Sequence, residues 1–334
     1  MGMECLARTI SIRIGWAMLC LAASLQAQRY SFQTYGFDDG LKNLAVERIL
    51  QDREGFLWVG TQNGLFRFDG YRFTEFGPRD GLPSGQLFSL HESPDGTLWA
   101  SSAESVVRRD GRRFTTVDLS PAKRPKGRQA IDSDPQGRVY IATRSGVLIM
   151  KKRPDGAGWD RKLADMSGVN PVVMSLLVRR SGQVVFGCGR SICSLEGDQA
   201  REIHHERTDD VWEYLVEDRD GNLYARSRQH VMVLRASSES FEILGRDEPL
   251  ETTLLPQMEV DLNGRLLVPV AGSLAIYDGK YWHYLNRRQG LPSSSVSAVY
   301  MDREGAIWMG MSGRGLARWI GYGEWETYSE AEGL

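Results

Sequence analysis

The sequence predicts an all-β protein, a seven-bladed β-propeller made of four-stranded antiparallel blades. One observation is a unit of short alternating strands and glycine turns, which reads DREGFLWVGTQNGLFRFDGYRFTEFGPRDGLP from Asp52 to Pro83. A second is that this unit recurs seven times, with intervals of 41, 41, 45, 39, 43 and 41 residues between equivalent glycines. A single four-stranded unit cannot bury both of its faces, so the copies must stack, and a period of about 40 residues is typical of propellers. A linear solenoid, the alternative, would leave apolar sheet faces at both ends.

Four strands follow one another within each unit. In the first unit they are predicted at Val46–Gln51, Phe56–Thr61, Leu65–Phe68 and Tyr71–Phe76. The first strand should line a central channel, and the second should lie between the first and the third. Asn63-Gly64 is predicted to close a two-residue hairpin in which both residues take positive φ.

The units align on a turn glycine that is followed by an apolar and then an aromatic or large residue. These glycines are Gly55, Gly96, Gly137, Gly182, Gly221, Gly264 and Gly305. Trp58, Trp99 and Trp308 follow three of them and are predicted to be core residues, because an aromatic at a fixed strand position buries a large area between sheets. Units 3 to 6 lack the Asp-Gly-Leu closing turn, and unit 4 has Val185 in place of the aromatic. The repeats are expected near residues 42–82, 83–124, 125–168, 169–208, 209–250, 251–291 and 292–334.

Two segments compete for the outermost strand of blade 7. Arg29–Tyr35 and Glu324–Tyr328 both have the pattern of a fourth strand, and only one of them can pair with Gly315–Ile320. We expect the N-terminal segment to pair there, since Glu324–Leu334 would then be available to open a further propeller.

The N-terminus and the net charge indicate an exported protein. Residues 1–27 have the pattern of a secretory signal, an apolar run from Ile14 to Leu25 with cleavage expected after Ala27, and an uncleaved anchor is the alternative. We therefore expect residues 28–334 to form the propeller in the periplasm or elsewhere outside the cytoplasm. The formal net charge of −2 argues against nucleic acid as a partner, because a phosphate backbone attracts a basic face.

The consensus D-x-x-G-x-L-W-V-G-T-x-x-G-L-x-R-F-D-G-x-x-F-x-x-F, followed by D-G-L-P, resembles the repeat of the two-component regulator propeller family. Units 1, 2 and 7 carry it as DREGFLWVGTQNGLFRFDG, SPDGTLWASS and DREGAIWMGMSGRGLARW, and the resemblance covers residues 29–334. It implies a periplasmic ligand-binding sensor, the front part of a signalling protein whose output is a histidine kinase or a diguanylate cyclase. It also implies self-association through downstream domains. Because the chain stops at Glu332-Gly333-Leu334, a motif that elsewhere begins a unit, we expect a truncated product.

Two other classes of function are open alternatives. A propeller enzyme, such as a lyase or a glycosidase, needs a general base near a channel mouth, and the sequence nominates no catalytic residue. A structural or protein-interaction propeller needs no small ligand. No metal and no cofactor is expected, because no metal-ligand spacing is found among the histidines His91, His204, His205, His230 and His283.

Cys188 and Cys193 are the two cysteines that follow the signal segment. Aligned on unit 1 they match Thr61 and Phe66, on the two arms of a tight hairpin where cross-strand partners come within about 4.5 to 5.5 Å. An exported protein can form this disulfide, and two free buried thiols are the alternative.

Five arginines are the candidate ligand-binding residues. Four of them align with residues 60–63 of unit 1, in the loops between second and third strands, and one lies in a connection between units. In propellers these segments gather on one face, so we expect the guanidinium groups to surround a channel mouth and to favour an anionic small molecule or an acidic oligosaccharide. Solvated arginines on variable loops are the alternative. The five are Arg128, Arg144, Arg190, Arg226 and Arg228.

Overall fold

The computed structural model describes residues 29–156, 158–205, 210–245, 250 and 257–322. The predicted signal segment 1–27 and the segment Glu324–Tyr328 lie outside the described residues. The described chain forms seven four-stranded antiparallel sheets, which confirms the predicted seven-bladed propeller. Its helices are three short 3-10 turns, and none of the described helices is long and apolar enough to cross a membrane.

Each blade is one sheet whose strands follow in chain order from the channel outward, except that the outermost strand of blade 7 comes from the N-terminus. The strands are β2 (Val46–Gln51), β3 (Leu57–Thr61), β4 (Leu65–Phe68) and β5 (Phe73–Phe76) in blade 1; β6 (Ser89–Glu92), β7 (Leu98–Ser101), β8 (Val106–Asp110) and β9 (Arg113–Thr116) in blade 2; β10 (Ile131–Ser133), β11 (Val139–Thr143), β12 (Gly146–Lys152) and β13 (Trp159–Leu163) in blade 3; β14 (Val173–Val178), β15 (Val184–Cys188), β16 (Ser191–Glu196) and β17 (Gln199–His205) in blade 4; β18 (Tyr214–Glu217), β19 (Leu223–Arg226), β20 (Val231–Leu234) and β21 (Phe241–Leu244) in blade 5; β22 (Glu259–Val260), β23 (Leu266–Val270), β24 (Ser273–Tyr277) and β25 (Trp282–Leu285) in blade 6; and β26 (Val296–Met301), β27 (Ile307–Met311), β28 (Gly315–Ile320) and β1 (Ser31–Tyr35) in blade 7.

The first strands of the seven blades contact one another in a closed ring. Strand β2 contacts both β26 and β6, and the contacts continue through β10, β14, β18 and β22. These strands surround the central channel, as predicted. The hydrophobic core is divided among the layers between blades, where Trp58 of blade 1 packs with Leu87 and Leu98 at blade 2.

The N-terminal strand closes the ring, which confirms the predicted pairing. Strand β1 runs antiparallel to β28, with Ser31 opposite Ile320 and Tyr35 opposite Leu316. The ring of Tyr35 lies 5.5 Å from that of Trp308, and this aromatic contact anchors the strand to the interior of blade 7.

The turn between first and second strands is held by a buried acceptor and an aromatic side chain. In blade 1, Asp52 accepts hydrogen bonds from the backbone of Glu54 at 3.0 Å and Phe56 at 2.9 Å, and from Trp58 Nε1 at 2.6 Å. The same bond to an aromatic donor recurs from Trp99 to Ser93 at 3.0 Å, Tyr140 to Asp134 at 3.1 Å, Tyr224 to Asp218 at 3.2 Å and Trp308 to Asp302 at 2.7 Å. The three tryptophans are 0 to 5% exposed, which confirms their predicted place in the core.

Blades 4 and 6 build this turn differently. Blade 4 has Arg179 in place of the aspartate, and its guanidinium donates to Glu217 Oε1 at 2.8 Å and to the carbonyl of Gly221 at 2.8 Å, both in blade 5. Blade 6 keeps Asp261 but lacks the aromatic, and the carboxylate instead accepts hydrogen bonds from Arg265 and from Tyr322 of blade 7.

Two predictions about turns are wrong in detail. Asn63 does not take positive φ, since no non-glycine residue of the described chain does; Gly64 alone takes it, at φ 100°, and Thr61 N bonds to Gly64 O at 3.1 Å. One left-handed residue suffices here because the glycine follows the two loop residues and joins the returning strand. Unit 6, for which the sequence predicts no Asp-Gly-Leu closing turn, nevertheless closes with the same kind of turn. Gln289 accepts a hydrogen bond from the backbone N–H of Asn286 at 2.9 Å, as Asp39 does from the backbone N–H of Gly36.

Candidate functional site

The loops between second and third strands lie at the same end of the ring as the connections between blades, which we call the upper face. Backbone hydrogen bonds join the two sets: Gln62 N bonds to Ala45 O at 3.0 Å, and Arg144 N bonds to Arg124 O at 3.2 Å. The turns between first and second strands lie at the opposite end, the lower face. The predicted grouping of these segments on one face therefore holds.

Three of the five candidate arginines are exposed on the upper face. Arg144, Arg190 and Arg228 lie in the loops between second and third strands of blades 3, 4 and 5. Arg228 Nε is 4.0 Å from Glu213 Oε2, and the Arg228 side chain is 67% exposed. These three guanidinium groups are accessible to a molecule on the upper face.

Arg128 lies closer to the channel, and its guanidinium group already has partners in the protein. Its Nη1 is 2.7 Å from Glu47 Oε2, and its guanidinium lies over the ring of Phe88 at 5.4 Å. Burial raises the pKa of the nearby Glu213 carboxyl, an effect opposed by the charges of Arg228, Arg128 and Lys126. The charges of Arg128 and Arg228 thus both act on the Glu213 carboxylate, so the rim contains acidic as well as basic groups.

Arg226 is not on the rim, contrary to the expectation for that residue. It is 2% exposed, and its Nη2 donates to the carbonyl of Pro269 in blade 6 at 2.6 Å. Burial lowers its pKa to about 9. The physical reason is its strand position: a Cβ added at the equivalent Gly60 would meet Leu87 beside the next blade at 3.5 Å, so a side chain here points between blades.

The structure joins Cys188 and Cys193 in a disulfide, with their Cα atoms 6.0 Å apart. The two residues are diagonal neighbours rather than direct partners, since Cys188 lies opposite Ser191 and Cys193 opposite Phe186. The alignment had placed them directly across the hairpin. A diagonal pair on one sheet face is still within the Cα range of a disulfide.

Two glutamines narrow the channel near the upper face. Gln129 exchanges two side-chain hydrogen bonds of 2.8 Å with the backbone of Leu215 in blade 5. Gln257 does the same with Ile49 of blade 1, at 3.1 Å in both directions. Each amide satisfies the channel-facing backbone of a first strand, which has no neighbouring strand on that side.

Next to the glutamines the channel contains a partly open polar cavity of about 190 Å³. Residues of the first strands form two layers around the channel, and several of them line this cavity together with Arg128, Gln129 and Gln257. The upper layer contains Arg48 and Tyr214, which lie at equivalent positions opposite Gly60 and Arg226, together with smaller residues such as Ser89. The lower layer lies two residues further along each strand and contains Leu50, His91, Asp132, Leu177, Val216, Glu259 and Tyr300 in blades 1 to 7.

The lower layer is rich in ionisable groups, and burial shifts their pKa values in the direction that favours the uncharged forms. Burial raises the pKa of Glu259 to about 7 and that of Tyr300 to about 12. Burial also raises the pKa of Asp132 and lowers that of His91, each partly offset by the charge of the other. Tyr300 can therefore donate as well as accept hydrogen bonds near neutral pH, and Glu259 can do so in its protonated form.

His91 also contacts a serine, in an arrangement that invites comparison with a nucleophilic triad. His91 Nε2 is 2.7 Å from Ser133 Oγ, and His91 Nδ1 is 3.5 Å from Asp132 Oδ1. The second distance is too long for the hydrogen bond that orients a catalytic imidazole. The His91 imidazole can form a hydrogen bond with Ser133, but this geometry does not activate Ser133 as a nucleophile.

The lower-layer residues were missed by the sequence reasoning, although a signal for them exists. Each lies five residues before one of the aligned glycines, so the spacing is the same in all seven units. The position is ionisable in blades 2, 3, 6 and 7 and aliphatic in blades 1, 4 and 5. A charged side chain in a strand predicted to line the channel is the observation that would have identified them.

A family model described as two component regulator propeller matches residues 40–63 and 290–313. The first match runs from the turn before blade 1 to its hairpin between second and third strands, and the second covers the equivalent part of blade 7. The predicted resemblance is confirmed at these two segments, which match the repeat of the two-component regulator propeller family.

Similar proteins include a histidine kinase, a domain of a hybrid two component system and a lyase. Histidine kinase P4 of Formosa agariphila is 49% identical over 53 residues, which is 15% of this chain and 4% of that protein. The extracellular domain of BT3049 from B. thetaiotaomicron, a protein assigned to the hybrid two component systems, superimposes with a TM-score of 0.71 at 17% identity over 87% of this chain and 42% of that one. Virginiamycin B lyase from Staphylococcus aureus superimposes with a TM-score of 0.68 at 14% identity over 87% of this chain and 99% of that one.

These similarities differ in how much of each relative they cover and in what they show. The chain spans less than half the length of the histidine kinase and of the BT3049 chain. At such identities the structural matches show the fold alone, and one fold can host both a sensor and a lyase.

Proposed function

We propose that this chain is the exported, ligand-binding sensor propeller of a bacterial signal-transducing protein. The observation that carries the proposal is the match to two-component regulator propeller repeats in blades 1 and 7. The likeness to a histidine kinase and to an extracellular domain of a hybrid two component system supports it. The output would be a histidine kinase or a diguanylate cyclase, and self-association would run through the domains of that longer protein.

Export is the first part of this proposal to test. Fusing residues 1–40 to alkaline phosphatase should give an enzyme that is active in intact bacteria, because this phosphatase folds only where its disulfides form. A fusion that begins at Gln28 is the matched control and should be inactive. Equal activity of the two fusions would contradict export by the N-terminal segment.

The ligand of the upper face is proposed to be anionic, either a small molecule or an acidic oligosaccharide. The supporting observation is the exposure of Arg144, Arg190 and Arg228 on loops of three consecutive blades. Arg128 would assist only if a ligand displaced Glu47, and the buried Arg226 would take no direct part.

A glycan-binding screen with matched variants tests this site. The wild type should bind uronate-bearing glycans more tightly than neutral ones, and the triple alanine variant of Arg144, Arg190 and Arg228 should lose that binding. The control is a triple alanine variant of the exposed lower-face residues Arg72, Arg112 and Arg219, which removes the same charge. If both variants lose binding equally, net charge rather than the upper face is responsible; if neither does, the ligand binds elsewhere.

A further inference from the structure

We propose that the central channel is a binding site for a small hydroxycarboxylate. Arg48 of the upper layer would hold the carboxylate, and the hydroxyl group would face the lower layer at Glu259 and Tyr300. The binding groups of this site lie on first strands, so it does not depend on the exposed arginines Arg144, Arg190 and Arg228 or on the proposed sensing role.

Arg48 is a buried cation whose hydrogen bonds go to neutral groups. It is 4% exposed. Its Nε donates to the carbonyl of Arg128 at 3.0 Å, its Nη1 donates to the carbonyl of Glu47 at 2.6 Å, and its guanidinium lies 5.7 Å from the ring of Tyr214. Its Nη2 is buried and has no acceptor among the described residues. A buried charge of this kind is costly unless an opposite charge compensates it, and an anion in the channel would do so.

The nearest carboxylate is occupied by other partners. Glu47 Oε2 is 2.7 Å from Arg128 Nη1, and Glu47 Oε1 accepts from Gln62 Nε2 at 3.2 Å. The Glu47 carboxylate therefore binds residues of the upper face, and Arg48 bonds to Glu47 only at the Glu47 backbone carbonyl. The two N–H groups of Arg48 Nη2 are suited to an added carboxylate, which accepts charge-assisted hydrogen bonds.

The other end of the cavity is suited to a hydroxyl group. Position 50 lies two residues beyond Arg48 on the same strand, so the two layers are separated by about 7 Å. At the lower layer the ligand would meet Glu259 and Tyr300, with His91 and Asp132 on the facing strands. A hydroxyl there can donate to one of these side chains and accept from another, whereas a second carboxylate could only accept and would bury a further charge.

The cavity limits the size of the ligand. It measures about 190 Å³, and a cavity of about 150 Å³ accommodates benzene, so a ligand of roughly six to eight non-hydrogen atoms is expected. 4-Hydroxybutyrate has a length that matches the distance between the layers. An oligosaccharide is too large, which separates this site from the one proposed on the upper face.

Three probes of equal chain length test the proposal by isothermal titration calorimetry and by the rise in Tm of the wild-type chain. 4-Hydroxybutyrate should bind saturably; butyrate, which lacks the hydroxyl, should bind more weakly; and butane-1,4-diol, which lacks the carboxylate, should bind at least about tenfold more weakly. Binding to the folded state should raise Tm progressively as the ligand concentration exceeds Kd. This comparison needs no variant, so it is unaffected if a channel substitution prevents folding.

Two variants assign the site. Arg48→Met removes the charge with little change in volume and should reduce the affinity for 4-hydroxybutyrate at least about tenfold. Arg219→Met removes one exposed arginine from the lower face, which belongs to neither proposed site, and should leave the affinity unchanged. A crystal structure of the wild type grown with 4-hydroxybutyrate should place the carboxylate beside Arg48 Nη2.

Four outcomes would overturn the proposal in whole or in part. The channel site is wrong if the wild type shows no saturable binding, or if Arg48→Met binds as tightly as the wild type. Equal binding of the diol removes the role of Arg48. Equal binding of butyrate removes the role of the lower layer.

Discussion

In blades 1 and 7 the turn between first and second strands is built round a buried carboxylate, whereas blade 4 builds the same turn round an arginine. The backbone is alike in both: Gly55 N bonds to Asp52 O at 3.0 Å in blade 1, and Gly182 N bonds to Arg179 O at 2.8 Å in blade 4. The backbone turn therefore does not require the carboxylate. What differs is the group on the second strand, since Trp58 occupies the position that Val185 holds in blade 4.

The comparison explains why blade 4 lacks both the aspartate and the aromatic residue. A buried aspartate needs donors, and a buried indole N–H needs an acceptor, so each is costly without the other. Blade 4 lacks both and directs Arg179 to Glu217 of the neighbouring blade instead. Blade 6 supports the same reasoning. Its second strand has no aromatic donor for Asp261, and the carboxylate instead accepts a hydrogen bond from the hydroxyl of Tyr322 in blade 7.

The largest effect should come from removing the aromatic. Trp58→Ala should lower the free energy of unfolding by about 3–5 kcal/mol, because it empties a fully buried position and leaves the Asp52 carboxylate short of a donor. Val185→Ala, at the equivalent position of blade 4, should cost only about 2 kcal/mol, since two buried methyl groups are lost. Urea denaturation of both variants measures the difference. Equal losses would mean that the aromatic has no special role in blade 1.

The acceptor should matter next, and a charged acceptor should matter more than a neutral one. Asp302→Ala should cost about 2–4 kcal/mol, because Ala306 N and Trp308 Nε1 both lose their acceptor. Ser93→Ala, which removes the hydroxyl that serves Trp99 in blade 2, should cost about 1 kcal/mol. The same urea titrations apply. A loss from Ser93→Ala as large as that from Asp302→Ala would contradict this ordering.

Blade 4 has a covalent link that the regular blades lack, and its contribution should be moderate. The Cys188–Cys193 loop spans a sequence separation of 5, for which the chain-entropy relation gives at most about 2 kcal/mol. Urea denaturation with and without reductant should reveal this difference. A thiol count on the unfolded, exported protein should find no reactive thiol before reduction, and two reactive thiols there would refute the bond.

The sequence was sufficient to predict the fold because the repeat controls it. Glycine turns at a common period predicted seven blades, and one alternating segment, Arg29–Tyr35, correctly predicted the closing strand. The channel was predicted but its polar layers were not, since they are made by residues that come together only when the ring closes. Arg226 was misplaced for a related reason: alignment gives a strand position, but burial depends on which neighbouring blade that position faces.

The smallest expected effect extends the comparison to the channel, where blade 6 has Glu259 at the position of Leu50 in blade 1. The pKa of Glu259 is raised to about 7, above its ordinary value near 4.5, so the folded state holds the proton more tightly than the unfolded state does. Its stabilising effect is therefore complete below pH 4.5 and is lost as the pH rises toward 7. We expect a loss of about 1 kcal/mol across this window rather than the roughly 3 kcal/mol that the full shift would give, because the half-buried carboxyl faces a cavity large enough for water. Glu259→Gln should flatten this part of the pH–stability profile, while Glu54→Gln, at an exposed carboxyl on the lower face, should leave it unchanged. A wild-type profile that is already flat from pH 4.5 to 7 would show that Glu259 is solvated like a surface group.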